Sequence, residues 1–267
     1  MTSKRKQAII RRRIFICVCI AVIVMASALI GVVISAISKA VNSDPADTSA
    51  PAAPTDKAED TIPYEDTVSI NEYGLDTKYE RLILVNPDNP LPEDFDYEGN
   101  LTEIPAEYIN GSLNQIDKDI WPYLKAMMDK ALEDGVRLYV RSPYRSYSTQ
   151  QMLYNNQVNK QLNLGVEEGE AYIKAATIVA RPGTSEHHTG LAVDFNIADI
   201  SFEGTEMSDW LKANAQDFGF ILRYPENKTD ITKVIYEPWH YRFVGIDAAK
   251  EIKELGVTFE EYMAKSN

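Results

Sequence analysis

Apolar positions are spread very unevenly along this chain. From Ile14 to Ile37 no residue is charged and almost every side chain is apolar, a run long enough to cross a bilayer core of about 30 Å as one helix. Lys4, Arg5, Lys6 and Arg11-Arg12-Arg13 precede it, and the first basic residue beyond it is Lys39. That asymmetry places residues 1–13 in the cytoplasm as a basic segment, residues 14–37 across the membrane, and everything after Lys39 outside the cell. A removable signal peptide competes with this reading, because Ala26-Ser27-Ala28 resembles a cleavage site. The apolar run continues past Ala28, which favours a retained anchor. From Val41 to about Ile62 the chain turns to Ala, Pro, Ser, Thr and Asp, too poor in apolar surface to fold. Residues 38–75 are therefore expected as a semi-extended tether, and residues 76–267 as one extracellular domain large enough for a single core.

Inside that domain the periodicity switches repeatedly between helical and strand-like. Leu82-Ile83-Leu84-Val85 reads as a short buried strand ended by Asn86-Pro87-Asp88-Asn89-Pro90. Ile116, Ile120, Tyr123, Leu124, Met127, Met128 and Leu132 recur at helical spacing. Val136 to Val140 is expected as a strand, with a turn at Ser142-Pro143, and Gln150 to Leu162 and Glu167 to Val179 as two helices. In Leu191-Ala192-Val193-Asp194-Phe195 the pattern alternates, so Leu191, Val193 and Phe195 face one way and Ala192 and Asp194 the other. Met207 to Phe218 is expected as a helix, Ile235-Tyr236 and Tyr241 to Phe243 as strands, and Asp247 to Leu255 and Phe259 to Ala264 as helices. The result is an α+β domain in which helices surround a small sheet.

Charge and cysteine content narrow the function classes. The whole chain carries a formal net charge of −13, and the exported part is more negative still once the basic segment is set aside. Such acidity argues against nucleic acid and against anionic lipid surfaces as partners. Both cysteines, Cys17 and Cys19, lie in the apolar run, so the outer domain has no disulfide, no thiol nucleophile and no cysteine-ligated metal.

The histidines sharpen the picture further. There are three, and all fall in two short stretches, Ser185-Glu186-His187-His188-Thr189-Gly190-Leu191-Ala192-Val193-Asp194 and Glu237-Pro238-Trp239-His240. Two imidazoles and a carboxylate, with a further carboxylate as base, are what a catalytic zinc needs. Gly190 offers the backbone freedom for a tight return that brings His187 back beside Asp194. A surface Asp paired with a His is the plainer explanation of that pair alone. Positions 237 and 240 would face opposite ways on a regular strand, but Pro238 breaks the ladder and lets both side chains turn into one cavity. An ordinary solvated acid at Glu237 stays open on spacing alone.

These stretches resemble the VanY-type D-alanyl-D-alanine carboxypeptidases, zinc peptidases that trim peptidoglycan stem peptides. The resemblance covers most of residues 80–255. It includes Leu84-Val85-Asn86, Tyr144-Arg145-Ser146-Tyr147 with Gln150, Trp210-Leu211, and Gly219-Phe220-Ile221-Leu222-Arg223-Tyr224-Pro225. It ends in Ile235-Tyr236-Glu237-Pro238-Trp239-His240-Tyr241-Arg242. It implies the fold shared with the hedgehog signalling domain. It also implies zinc ligands His187, Asp194 and His240, Glu237 as general base, and Arg145 as the group that contacts substrate and steadies the oxyanion. Ser185, Gln150, Tyr224 and Trp239 fall where such enzymes line the terminal D-Ala pocket, although Tyr224 and Trp239 serve equally well as core aromatics. His188 departs from the family, where Gln is common. Adjacent side chains diverge, so a supporting polar role suits His188 better than ligation. Pro143 replaces the usual glycine before Tyr-Arg-Ser.

The implied reaction is removal of a C-terminal D-alanine from stem peptides by metal-activated water. An L,D-carboxypeptidase acting on the tetrapeptide shares the metal site and fold. A zinc-stabilised wall-binding module without turnover is the third reading, and Glu237 and Arg145 argue against it. A serine carboxypeptidase would need Ser-x-x-Lys and Lys-Thr-Gly, and the outer domain has neither.

Overall fold

The computed structural model describes residues 69–92, 95 and 98–265. The expected basic segment, the membrane span and the tether up to residue 68 lie outside these residues. Among the described residues no helix is long and apolar enough to cross a membrane.

The elements run β1 (Leu101–Glu103), β2 (Gln115–Asp117), α1 (Trp121–Glu133), β3 (Val140–Ser142), α2 (Tyr147–Asn163), α3 (Glu168–Ile178), β4 (Ala192–Phe195), α4 (Glu206–Asn214), β5 (Phe220–Leu222), α5 (Thr229–Thr232), β6 (His240–Phe243), α6 (Ile246–Leu255) and α7 (Phe259–Lys265). β1 and β2 form a small antiparallel pair. The other four strands make one antiparallel sheet in the order β3-β4-β6-β5. Helices lie around this short sheet, the α+β arrangement expected from the pattern.

Helix α1 owes its position to a turn as well as to periodicity. Tyr123, Leu124, Met127, Met128 and Ala131 are buried at three- and four-residue spacing, and Pro122 sits in the first turn, where its missing N–H costs nothing. Ile116, expected inside this helix, belongs instead to β2. The reason is Asp117, whose Oδ1 accepts from the backbone N–H groups of Asp119 (2.8 Å) and Ile120 (3.3 Å), a local turn that ends the strand before the helix begins. Helix α2 starts at Ser146, whose Oγ accepts from Thr149 N.

The alternation of Leu191 to Phe195 holds. Leu191, Val193 and Phe195 join the main core with α1 and α4, while Asp194 faces away. Every residue of β4 is buried because the strand lies inside the sheet with both faces covered. A second cluster, Ile221, Val244, Ala248, Ala249, Ile252, Phe259 and Tyr262, packs α6 and α7 on the sheet's flank.

Several expected elements differ. Leu82 to Val85 forms no strand. Its neighbouring carbonyls are taken by a buried guanidinium, with Arg242 Nη2 donating to Ile83 O (2.8 Å) and Arg81 O (3.3 Å). The strand expected at Val136 to Val140 begins only at Val140. Ile235-Tyr236 is not a strand, since Ile235 N donates to Thr177 O of α3. β5 was not among the expected strands. The folded part also starts earlier than residue 76, because Leu75 is buried in the main core and the Tyr73 ring lies 4.7 Å from that of Phe218. Residues 69–75 are thus pinned by two anchors, Tyr73 and Leu75.

Candidate metal centre

Strand register brings the first two site residues together. In the β4–β6 ladder Asp194 pairs with His240, so both side chains stand on one face as cross-strand neighbours. The alternate residues Tyr241 and Phe243 go to the core. His187 arrives from a short 3₁₀ turn, Glu186–Thr189, that returns to β4 through Gly190 at φ 64°. A Cβ there would lie 2.9 Å from Asp117 N, so the return requires glycine. Glu237 is delivered by a turn, as Pro238 suggests, in which His240 N donates to Glu237 O and Glu237 N donates to Tyr224 O.

The ligand atoms of His187, Asp194 and His240 all lie within 4.8 Å of one another, and all three residues are buried. Asp194 Oδ2 is 3.4 Å from His187 Nε2, and Asp194 Oδ1 is 3.1 Å from His240 Nδ1. His187 Nδ1 lies 2.8 Å from Pro143 O. A carbonyl only accepts, so Nδ1 carries the proton and Nε2 keeps its lone pair toward Asp194. Asp194 Oδ1 is buried without a hydrogen bond among the described residues. Two imidazoles and a carboxylate with free donor atoms suit zinc.

Glu237 stands beside this cluster, its Oε2 3.5 Å from His240 Nδ1. Burial pushes its carboxyl up to about 8, only partly offset by His240 and Arg145. Burial, reinforced by Arg145, brings His187 down to about 4. For His240 burial opposes the charge, but the neighbouring carboxylates of Asp194, Glu186 and Glu237 carry it up to about 9. Asp194 is likewise penalised by burial, yet His187 and Arg145 hold it well below the usual carboxylate range.

Arg145 completes the site. Its Nη2 pairs with Asp194 Oδ2, its Nε donates to Ser142 Oγ at 2.8 Å, and its Nη1 donates to Gln150 Oε1 at 3.4 Å. Gln150 is fully buried and donates its own Nε2 to Ala180 O, so its amide braces the arginine. His188 is engaged at both ring nitrogens. Nδ1 donates to Arg145 O (2.8 Å) and Nε2 accepts from Gly183 N (3.1 Å), which keeps it out of the metal cluster.

All of these groups except His188 line one cleft of about 760 Å³, together with Ser185, Tyr224 and Trp239. Tyr224 is buried with its ring centre 4.8 Å from that of His240, and Trp239 packs against the main core. Each therefore serves as a wall of the cleft and as part of the packing.

A second layer was not singled out from the sequence. Glu186 is fully buried, with Oε1 accepting from Arg223 Nε (2.7 Å) and 3.1 Å from Arg242 Nη1. Arg223 also clamps Glu260 of α7 through Nη1 (2.9 Å) and Nη2 (2.6 Å). One signal was available. Arg242 falls between Tyr241 and Phe243, a charge in a strand otherwise patterned for the interior.

Comparison with known proteins agrees with this geometry. The family model for VanY, D-alanyl-D-alanine carboxypeptidase, matches residues 113–246. A D-alanyl-D-alanine carboxypeptidase of Enterococcus faecalis (strain ATCC 700802 / V583) is 43% identical over 201 residues, covering 75% of this chain and 72% of the relative. Among solved structures, a variant of the vancomycin-resistance D,D-pentapeptidase VanY in complex with Zn(II) matches at TM-score 0.60 and 44% identity, over 68% of this chain and 98% of the other. VanYB in complex with D-alanine-D-alanine matches at 0.62 and 44%, over 70% and 98%. The LD-carboxypeptidase LdcB matches at 0.60 and 38%, over 68% and 85%. With a buried His-Asp-His cluster, an adjacent raised glutamate and a family match over residues 113–246 joined to this degree of likeness, the chain belongs to the VanY family of D-alanyl-D-alanine carboxypeptidases.

Proposed function

We propose that this chain is a zinc-dependent D,D-carboxypeptidase that removes the C-terminal D-alanine from peptidoglycan stem peptides. The observation that carries the reading is the convergence of His187, Asp194 and His240 on one point of the cleft, with Glu237 beside them. His187 Nε2, His240 Nδ1 and an Asp194 oxygen would hold the metal. When bound, zinc supplies Lewis-acid polarisation of the scissile carbonyl and acidifies a coordinated water. Glu237, buried and with its proton affinity set near neutrality, takes the proton of the attacking water and returns it to the departing amine of D-alanine. Arg145 presents its guanidinium at the same point and steadies the charge that develops on the carbonyl oxygen. Ser185, Tyr224 and Trp239 shape the pocket for the terminal residue, and Gln150 acts through Arg145.

Similarity to LdcB supports a second reading within the same site, action on the tetrapeptide. Incubating the purified full-length chain with zinc and with stem pentapeptide or tetrapeptide, and weighing the products, separates the two. Loss of D-alanine from the pentapeptide is expected. Loss from the tetrapeptide alone establishes the L,D activity, and loss from neither leaves a wall-binding module. The uncharged run from Ile14 to Ile37, with its basic residues on one side, supports a single-pass anchor with the N-terminus in the cytoplasm and the peptidase outside. Protease added to intact cells should then degrade the domain, and protection of the domain would overturn that placement.

A further inference from the structure

Beneath the metal cluster the His240 ring has a second edge that the reaction does not use. Nδ1 faces Asp194 and Glu237, while Nε2 points the other way, 3.6 Å from Glu186 Oε2. Both of these atoms are buried, and neither has a hydrogen-bond partner among the described residues. A movement on the order of 0.5 Å brings the pair into the usual N–H···O range. Glu186 cannot turn elsewhere, because Oε1 is held by Arg223 and Arg242. These arginines are themselves fixed, Arg223 by Glu260 of α7 and Arg242 by the carbonyls of Arg81 and Ile83. The aromatic ring of Phe259 lies 5.5 Å from each guanidinium carbon.

We propose that Glu186 is a positioning residue for the metal centre, accepting the Nε2–H of His240 and so fixing the ring with Nδ1 turned to the metal. The inference rests on the zinc reading above. An imidazole ligand whose far nitrogen donates to a carboxylate has one tautomer, one orientation and greater basicity at the ligating nitrogen, and loss of such a partner typically costs about 10- to 100-fold in metal affinity. A second role for Glu186, balancing two buried guanidinium charges, is shared with Glu260. The two acids therefore separate the effects, since Glu260 touches Arg223 but not His240.

The test uses the full-length chain and zinc alone, by competition with a chelator. Zinc binding by the unaltered chain tests the zinc reading itself, and its absence would sink that reading without bearing on Glu186. Given binding, Glu186→Gln and Glu186→Asp should each raise the zinc dissociation constant about 10- to 100-fold, and the cobalt-substituted form should change its visible spectrum. Glu260→Gln should lower thermal stability while leaving both readouts unchanged. Zinc affinity and a cobalt spectrum in folded Glu186 variants that match the unaltered chain would overturn the proposal. If the variants do not fold, nitrogen-15 spectra of the zinc-loaded unaltered chain decide. A His240 proton on Nε2, slow to exchange, is expected, and a proton in rapid exchange with water overturns the proposal.

Discussion

The His240 ring lies between two buried carboxylates whose surroundings are opposite. On the floor side Glu186 meets Arg223 and Arg242, which overcome its burial and hold it well below the usual carboxylate range. On the cleft side Glu237 is equally buried, but its nearest positive partners offset the burial only in part and it rises to about 8. Burial alone therefore does not decide what an acid does; the balance of the charges set around it does. The floor acid is a fixed charge suited to holding a ring in place. The cleft acid, with its proton affinity raised by burial, suits the proton-transfer role proposed for it.

The largest break in this comparison is expected from Glu237→Ala. Removing the acid that exchanges protons should lower kcat by about 10²- to 10⁴-fold while bound zinc, measured by elemental analysis, stays at the level of the unaltered chain. Unchanged D-alanine release would remove Glu237 from the chemistry. Next comes the floor. Arg223→Met deletes the cation shared by Glu186 and Glu260 and leaves both short of a partner in a dry interior, at a cost of about 3–5 kcal/mol in unfolding free energy. Denaturant titration reads that loss directly, and a change below about 1 kcal/mol would show that the network contributes little net stability.

Much of the cleft side was legible in the sequence, and little of the floor. The alternation of Leu191 to Phe195 turns Asp194 away from the core, and the break at Pro238 lets Glu237 and His240 share a cavity. Both signals are local, a period of two and a residue that cannot donate. The pairing of Asp194 with His240 is a matter of register between strands 46 positions apart in sequence, and no local pattern encodes it. The failed strand at Leu82 to Val85 has the same origin. Its apolar run is what a buried strand shows, but a guanidinium from β6 reaches its carbonyls first. Helix α1 was found by its period and misplaced at its start, because the Asp117 turn competes with helix at Ile116. Contacts distant in sequence decide the first two cases, whereas in the third a local side-chain turn overrides the helical period.

The third histidine sharpens the contrast on a smaller scale. His188 holds the backbone of Arg145 and Gly183 through both nitrogens, and burial lowers its pKa so that it serves as a neutral brace. His188→Ala leaves a buried N–H and a carbonyl without that partner, a loss of about 1–3 kcal/mol in unfolding free energy. Zinc content should not change. A fall in zinc stoichiometry would return His188 to the ligand set.

The smallest effect is a matter of pH in the metal-free protein. His240 has a folded-state pKa of about 9 against an ordinary 6.5, so its contribution to stability is complete below pH 6.5 and is lost as pH rises through 9. Glu237 acts in the same direction, because its proton is favoured in the fold, at about 8 against an ordinary 4.5. Ionising it inside the cleft therefore costs stability as pH rises towards 8. His187 and Asp194 are shifted downwards, which confines their effects to the acid side. Between pH 6.5 and 9 the chelated protein should thus lose thermal stability steadily. Zinc-loaded protein should lose less, because the metal requires neutral imidazoles and binds better as protons leave. Parallel melting curves across that interval, with and without chelator, should diverge, and curves that keep a constant separation would mean that His240 and Glu237 do not face the metal together.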